Sequence, residues 1–198
     1  MRTLKIYCDC DNVITDFDRA VRELGDVPAE GLAENATEMQ KQTMYKAIED
    51  AGPRFWSEME WLPEGKVFWR FLSQFDPVIL TSPGEFSWAV AGRTNWMDKN
   101  LPGVSVFYEP DKFIYAERGA LLIDDMKRNV GAWEMAGGIG VLFTDAVDTT
   151  NRLLDIIRGY SPSKSIYLSH TLRRIARKVL HSDPEENQKL LDVFQEDE

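Results

Sequence analysis

Residues 4–17 read LKIYCDCDNVITDF, and no other stretch constrains the architecture of the chain as strongly. Its apolar beginning predicts a buried strand, which runs directly into two carboxylates, Asp9 and Asp11. Asn12 suits the tight turn that must follow, because asparagine tolerates left-handed backbone angles better than most residues. Two acids crowded at a strand end repel each other, so a cation or a shared proton must make them tolerable. The stretch therefore predicts a carboxylate nucleophile, a neighbouring acid–base group and a divalent metal site.

Two later segments repeat this arrangement of an apolar strand with polar groups at its end. Residues 77–83 read PVILTSP, and residues 120–125 read ALLIDD. The polar side chains that follow the apolar runs are Thr81, Ser82, Asp124 and Asp125. Open α/β sheets bind ligands in the crevice outside the carboxyl ends of their strands. We therefore expect these groups to meet Asp9 and Asp11, although the two hydroxyls alone would also suit a turn or a helix cap.

The order of predicted elements indicates an α/β fold with a parallel sheet covered on both faces, because continuous apolar strands alternate with helices. The interval between the first and second strands is far longer than one crossover helix. It predicts a small helical cap inserted after strand 1. The expected organisation is a catalytic core formed by residues 1–15 and 76–150, a cap formed by residues 16–75, and a C-terminal helical extension over residues 151–198.

Three motifs resemble those of a known enzyme superfamily. Residues 9–13 (DCDNV), 78–83 (VILTSP) and 121–125 (LLIDD) are similar to motifs one, two and four of haloacid-dehalogenase (HAD) phosphatases, and most closely to 5′(3′)-deoxyribonucleotidases. The resemblance covers roughly residues 4–145 and implies a HAD-like, Rossmann-type core. One departure is Asn12, where the superfamily usually has glycine. Residues after about 150 do not match the family.

The resemblance implies a Mg²⁺ site in which Asp9, Asp124 and the backbone carbonyl of Asp11 bind the ion, while Asp125 holds a metal-bound water or orients its neighbours. Hard oxygen ligands of this kind suit Mg²⁺. It also implies that Asp9 attacks phosphorus to give an aspartyl-phosphate, and that Asp11 serves as general acid and then as general base.

Three further residues are implied to contact the phosphoryl group. Thr81 and Ser82 would donate hydrogen bonds to it, and Lys112 would offset its charge and hold Asp9. Lys99 and Lys127 are alternatives to Lys112, since a lone lysine in a loop is usually exposed to solvent.

Substrate recognition is predicted from aromatic residues. Phe17, Phe55 and Trp56 match positions that line the nucleobase pocket in the nucleotidases, and stacking on a base contributes roughly 1–3 kcal/mol. The alternative is that these side chains only pack the cap against the core, as most aromatic clusters do.

Composition restricts the partners and the setting of the protein. Its 198 residues, 43% apolar, are enough for a substantial core, and no run long enough to cross a membrane occurs. A net charge of −10 disfavours a nucleic-acid polymer as ligand but permits a small nucleoside monophosphate. Two cysteines and two histidines form no zinc pattern, and because the sequence runs directly into the first predicted strand we expect no signal peptide. We therefore expect a cytoplasmic protein.

The C-terminal segment has a basic amphipathic stretch at residues 170–181. It is either a surface for an anionic partner or for a second subunit of a homodimer, or a packing helix with a solvated basic face.

The sequence thus predicts a Mg²⁺-dependent phosphomonoesterase of (deoxy)nucleoside monophosphates, suited to deoxyribonucleotide catabolism. The alternatives are a HAD phosphatase for another small phosphate ester, and a non-catalytic nucleotide-binding or assembly protein that uses its C-terminal segment.

Overall fold

The centre of the protein is a five-stranded parallel sheet with the strand order β3-β2-β1-β4-β5. The computed structural model describes residues 4–25, 36–84 and 86–160. The strands are β1 (Lys5–Cys8), β2 (Val78–Thr81), β3 (Val106–Tyr108), β4 (Ala120–Asp124) and β5 (Ile139–Leu142). The expected α/β fold with a parallel sheet is therefore confirmed.

Strand β1 lies in the middle of the sheet, between β2 and β4. Cys8 is paired with Ile79 of β2 on one side and with Ile123 of β4 on the other. The chain leaves β1 toward β2 and β3 and later returns to the opposite side for β4 and β5, so the strand order reverses beside β1. Ligands of open α/β sheets bind at such a reversal. The register places the carboxyl ends of β1, β2 and β4 side by side.

Among the described residues, four α-helices lie between β1 and β2, the interval in which a helical cap was expected. They are α1 (Phe17–Glu23), α2 (Glu38–Ala51), α3 (Pro53–Ser57) and α4 (Gly65–Leu72). The Thr37 side chain and Gln40 form a reciprocal capping box that begins α2. Gly52 ends α2 with φ of 66°, and Pro53 occupies the first turn of α3. Proline has no backbone N–H to donate, and the first turn of a helix requires none, so α3 can begin directly after Gly52.

The remaining helices alternate with the later strands. They are α5 (Ser87–Asn100), α6 (Lys127–Met135) and α7 (Ala146–Tyr160). A short 3₁₀ turn, Lys112–Tyr115, precedes β4. This turn and the short helix α3 were not predicted from the sequence.

The sheet is buried through large apolar side chains on its faces. Tyr7, Leu80, Leu122 and Trp133 form one cluster in which each side chain is almost fully excluded from water. The indole Nε1 of Trp133 donates to the carbonyl of Ala120 at 3.2 Å, so its polar atom is satisfied inside the core. The packing of these buried side chains holds in place the strands whose ends carry the polar groups.

The chain divides into two compact units. Residues 5–143 form the unit with the sheet, and the described part of the second unit consists of Leu4 and residues 144–160. In the second unit, Asp145 Oδ1 accepts hydrogen bonds from the backbone N–H groups of Val147 and Asp148, which caps the start of α7. The expected basic stretch at residues 170–181 lies outside the described residues.

Among the described helices, none combines the length and the hydropathy needed to cross a membrane.

Helix α4 approaches the turn after β1 so closely that only glycine fits at its first position. A Cβ atom at Gly65 would lie 2.4 Å from the carbonyl oxygen of Ile14, which is backbone and cannot rotate away. We expect Gly65→Ala to destabilise the protein by about 1–3 kcal/mol, measured as a lower urea midpoint, because the chain must shift to admit the methyl group. Gly131→Ala in α6 is the matched control, since no atom lies within 4 Å of its added Cβ. It should instead stabilise the helix by about 0.5–1 kcal/mol, and equal losses in the two variants would contradict this account.

Candidate active site

A tight turn after β1 presents the first pair of carboxylates. The carbonyl of Cys10 accepts the backbone N–H groups of Ile14 and Thr15, both at 2.9 Å, and Asn12 N–H donates to Thr15 at 2.8 Å. Asn12 has φ of 53°, the left-handed conformation expected for this position. The turn is therefore closed by its own backbone, which holds Asp9 and Asp11 on either side of Cys10.

The Asn12 side chain ties this turn to two neighbouring segments. Its Nδ2 donates to Asp18 Oδ1 at 2.8 Å and to Asp125 Oδ2 at 3.4 Å, and its Oδ1 accepts the backbone N–H of Asp18. A glycine at this position could adopt the same backbone angle but would make none of these contacts. The Asn12 side chain therefore adds connections within the site.

Lys112 joins the ends of β1 and β4. Its Nζ lies 2.8 Å from Asp9 Oδ1 and 2.6 Å from Asp124 Oδ2, and all three side chains are at most 9% exposed. Burial alone would lower the pKa of Lys112, but the two carboxylates outweigh this effect and raise the pKa above its ordinary value. The lysine is therefore held as a cation between the two acids. The alternatives Lys99 and Lys127 are exposed at the surface.

Asp124 is oriented by donors from the start of α6. Its Oδ1 accepts the backbone N–H of Met126 at 2.9 Å, and Asn129 Nδ2 donates to both carboxylate oxygens at 3.0 and 3.1 Å. With Lys112 included, the Asp124 carboxylate is surrounded by donors and has no exposed surface. Asn129 was not identified from the sequence.

Three carboxylates converge at this edge of the sheet. One oxygen each of Asp9, Asp124 and Asp125 can be chosen so that all lie within 4.8 Å of one another. Burial raises the pKa of Asp9, with further contributions from the neighbouring acids, despite the opposing charge of Lys112. Burial and the charge of Asp124 raise the pKa of Asp125 to about 7. One ammonium group does not offset this crowding, so the three acids form a group that could hold a metal ion.

Asp11 points to a different partner, although only one residue separates it from Asp9. Its Oδ1 forms an ion pair with Nη2 of Arg93, whose side chain is fully buried, and accepts the hydroxyl of Thr15 at 3.1 Å. Burial opposes the charge of Arg93, but the Asp11 carboxylate more than compensates and raises the pKa of the guanidinium. Arg93 was missed in the sequence because an arginine inside a helix is usually solvated.

The two hydroxyl residues at the end of β2 have different environments. Thr81 is fully buried, and its Oγ1 has no hydrogen-bond partner among the described residues. Such an atom carries a cost unless a ligand or water completes its hydrogen bonding. Ser82 is exposed to solvent.

The three aromatic residues predicted to contact substrate form one cluster. Ring centroids are 5.7 Å apart for Phe17 and Phe55, 5.9 Å for Phe17 and Trp56, and 5.0 Å for Phe55 and Trp56. Phe55 and Trp56 are only 7% and 5% exposed, whereas Phe17 is partly exposed. The structure thus brings the three together but leaves most of their surface inside the protein.

The two carboxylates of this turn differ in their contacts and their exposure. Asp9 is held by Lys112 and by the N–H of Cys10, which donates to Asp9 Oδ1 at 2.8 Å. Asp11 is one-fifth exposed, so solvent can reach its carboxylate. Carboxylates in such different surroundings are chemically able to act as a nucleophile and as an acid–base group.

The sequence matches no protein-family model and no curated protein. Among solved structures, a hydrolase from Pseudomonas syringae is 18% identical, with a TM-score of 0.45, over 70% of this chain and 83% of its own. A structure described as the HAD-hydrolase YfnB from Bacillus subtilis bound to magnesium is 16% identical, with a TM-score of 0.48, over 72% of this chain and 89% of its own.

Both cysteines should be inert in the folded protein. Cys8 and Cys10 have no exposed surface, and burial raises the pKa of Cys10 to about 12 and that of Cys8 well above its ordinary value. We expect no reaction with a disulfide reagent at pH 8 under native conditions and reaction of two thiols in guanidinium chloride, because the thiolate is the reactive form. Rapid labelling of one thiol in the native protein would show that the turn after β1 opens to solvent.

Proposed function

We propose that this protein is a HAD-type phosphatase that hydrolyses small phosphate monoesters through an aspartyl-phosphate. The observation that carries the proposal is the position of Asp9, which ends the central strand and is bonded to Lys112 beside Asp124. A nucleophile placed where the strand order reverses, next to a fixed cation, suits attack on an anionic phosphoryl group. The resemblance of the three sequence motifs to HAD phosphatases supports the same assignment.

The reaction proceeds in two displacements. In the first, an Asp9 carboxylate oxygen forms a bond to phosphorus as the ester P–O bond breaks, and Asp11 gives its proton to the leaving oxygen. In the second, water attacks the phosphorus of the aspartyl-phosphate, its proton passes to Asp11, and the bond between phosphorus and Asp9 breaks. Inorganic phosphate leaves, and both aspartates return to their initial states. Asp9 is therefore first the nucleophile and then the leaving group, and Asp11 is first the general acid and then the general base.

A divalent cation fits the donor set, and we infer that it is Mg²⁺. Asp9, Asp124 and Asp125 supply the carboxylate oxygens that a hard cation prefers, and the Asp11 carbonyl is a further candidate ligand. When bound, the ion would neutralise phosphoryl charge that the acids otherwise repel. The convergence of three carboxylates on one another, with a single ammonium group paired to two of them, is the observation of this structure that supports a cation here.

Thr81 and Lys112 are proposed to contact the phosphoryl group. The hydroxyl of Thr81 is buried and lacks a partner among the described residues, so a phosphoryl oxygen would satisfy it. Lys112 would share its charge between Asp9 and the phosphoryl oxygens. Ser82 follows Thr81 and is exposed, which leaves it free to donate to the same group from the solvent side.

For the substrate, we propose a nucleoside monophosphate with a preference for deoxyribonucleotides. The support is the resemblance of the Phe17, Phe55 and Trp56 positions to a nucleobase pocket and their contact with one another. A second candidate is another small phosphate ester, and a specific observation favours it. Phe55 and Trp56 are almost fully buried, which leaves little ring surface for a base to stack on.

Phosphate release from a panel of deoxy- and ribonucleoside monophosphates and sugar phosphates tests the function. We expect Asp9→Asn to lower kcat/KM by at least about 10³-fold, because an amide is a poor nucleophile. Asp11→Asn should lower it by about 10²–10⁴-fold through loss of general acid–base catalysis. Asp98→Asn, an exposed acid of α5, is the matched control and should keep full activity.

The outcomes of this panel separate the candidates. Release restricted to sugar phosphates would retain the mechanism and exclude the nucleobase assignment. No release from any substrate, or equal activity of Asp9→Asn and wild type, would overturn the proposed reaction.

Binding of Mg²⁺ should also raise thermal stability without any substrate. At a concentration 100 times its Kd, a ligand stabilises the folded state by about 2.7 kcal/mol, which for a chain of this size raises Tm by roughly 5–10 °C. We expect this increase for wild type and Asp98→Asn, its reversal by EDTA, and its loss in Asp124→Asn. The same increase in Asp124→Asn would place the ion elsewhere.

A further inference from the structure

Arg93 forms an ion pair within the site but has no role in the reaction proposed above. It lies in α5 with no exposed surface, and its Nη2 pairs with Asp11 Oδ1. Nη1 lies 3.1 Å from Cys10 Sγ and 3.5 Å from Thr15 Oγ1. All of these partners belong to the turn after β1. A buried charge is retained only where its partner is fixed, so the pair holds this turn and α5 together.

The Arg93 guanidinium also contacts the aromatic cluster. Its carbon is 4.8 Å from the centroid of the Trp56 ring, a cation–π distance, and both terminal nitrogens lie 3.9 Å from Met59 Sδ. This position requires α5 to approach α3 closely. Gly92 permits it, because a Cβ atom there would lie 2.4 Å from the carbonyl oxygen of Pro53. Arg93 is thus packed between Trp56 and Asp11.

The contacts of Asp11 are divided unequally between its two oxygens. Both described hydrogen bonds to the carboxylate, from Arg93 and from Thr15, end on Oδ1. The side chain is nevertheless 20% exposed. Fixing one oxygen leaves the other as the atom that can exchange a proton with a leaving group or water.

From this geometry we propose that Arg93 is a positioning residue, which fixes Asp11 Oδ1 so that Oδ2 performs the proton transfers of the reaction. Trp56 in turn supports the guanidinium. The proposal rests on the phosphatase function above and adds a residue that acts through Asp11 without touching the substrate. Misplacement of a catalytic group by about 1 Å can reduce a rate on the order of 100-fold, so such a support has a measurable effect.

The competing role for Arg93 is direct binding of the phosphoryl group. Its Nε has no acceptor among the described residues, but the whole side chain is enclosed and both terminal nitrogens already contact protein atoms. The contacts therefore favour support of Asp11.

The test compares two substrates of similar shape, phenyl phosphate and p-nitrophenyl phosphate. Phenolate is the stronger base and needs a proton as it leaves, whereas p-nitrophenolate leaves readily without one. If Arg93 positions the general acid, Arg93→Met should lower kcat/KM on the order of 10–100-fold for phenyl phosphate and by less than about 3-fold for p-nitrophenyl phosphate. Arg93→Lys, which keeps a cation, should recover part of the loss. Arg128→Met removes an exposed arginine of α6 and should behave as wild type.

A double-mutant comparison shows whether Arg93 acts through Asp11. In an Asp11→Asn background, Arg93→Met should cause no further loss with phenyl phosphate, because the group that it positions is already absent. Circular dichroism and Tm of each variant identify those that fail to fold, and Arg93→Lys carries the comparison if Arg93→Met is one of them.

Three results would overturn the inference. These are equal losses of kcat/KM for both substrates, a raised KM with unchanged kcat, and an additional loss in the Asp11→Asn background. Absence of phosphate release by the wild-type protein from both aryl phosphates and from the nucleotide and sugar-phosphate panel would instead contradict the proposed function itself, so the two failures are distinguishable.

Discussion

The constraint on which the site depends is the crowding of three carboxylates around one buried ammonium group. Asp9, Asp124 and the partly buried Asp125 come together where the strand order reverses, and Lys112 is the cation that the described residues place against the first two of them. Such crowding is unfavourable inside a protein unless each charge is paired or bonded. Asp124 and Asp125 also accept hydrogen bonds from Asn12, from Asn129 and from the backbone at the start of α6. The remaining negative charge suits a bound cation.

The two acids of the first turn are separated by one residue and belong to different ion pairs. Asp9 faces Lys112 and the end of β4, whereas Asp11 faces Arg93 and α5. Cys10 lies between them as a buried, neutral spacer. Different neighbours are the usual way in which one site gives two carboxylates different chemical tasks. Two carboxylates can therefore have different surroundings although they are close in sequence, provided that the turn directs them to separate partners.

The polar groups that follow strands could be predicted from the apolar runs before them, whereas Arg93 and Asn129, which helices α5 and α6 supply, could not. Apolar runs ending in acids or hydroxyls located Asp9, Thr81 and Asp124 at one edge of the sheet, because parallel strands share a direction. Arg93 left no such signal, since its burial depends on how closely α5 approaches α3. The structure shows this close approach at Gly92, where there is no room for a Cβ atom. Helix α3 was also missed, because five residues are too few for a helical period to be recognised.

The aromatic cluster illustrates why matching residue types alone does not establish a binding pocket. A side chain that stacks on a nucleobase must present a free ring face, yet Phe55 and Trp56 pack edge to face and are almost completely enclosed. One face of Trp56 is occupied by the Arg93 guanidinium, and its Nε1 has no acceptor among the residues described. In this conformation the cluster contacts the first turn through Arg93, which pairs with Asp11. Phe17 is the member of the cluster that keeps exposed surface. Stacking of a nucleobase on the other two rings would require them to leave the positions that they occupy here.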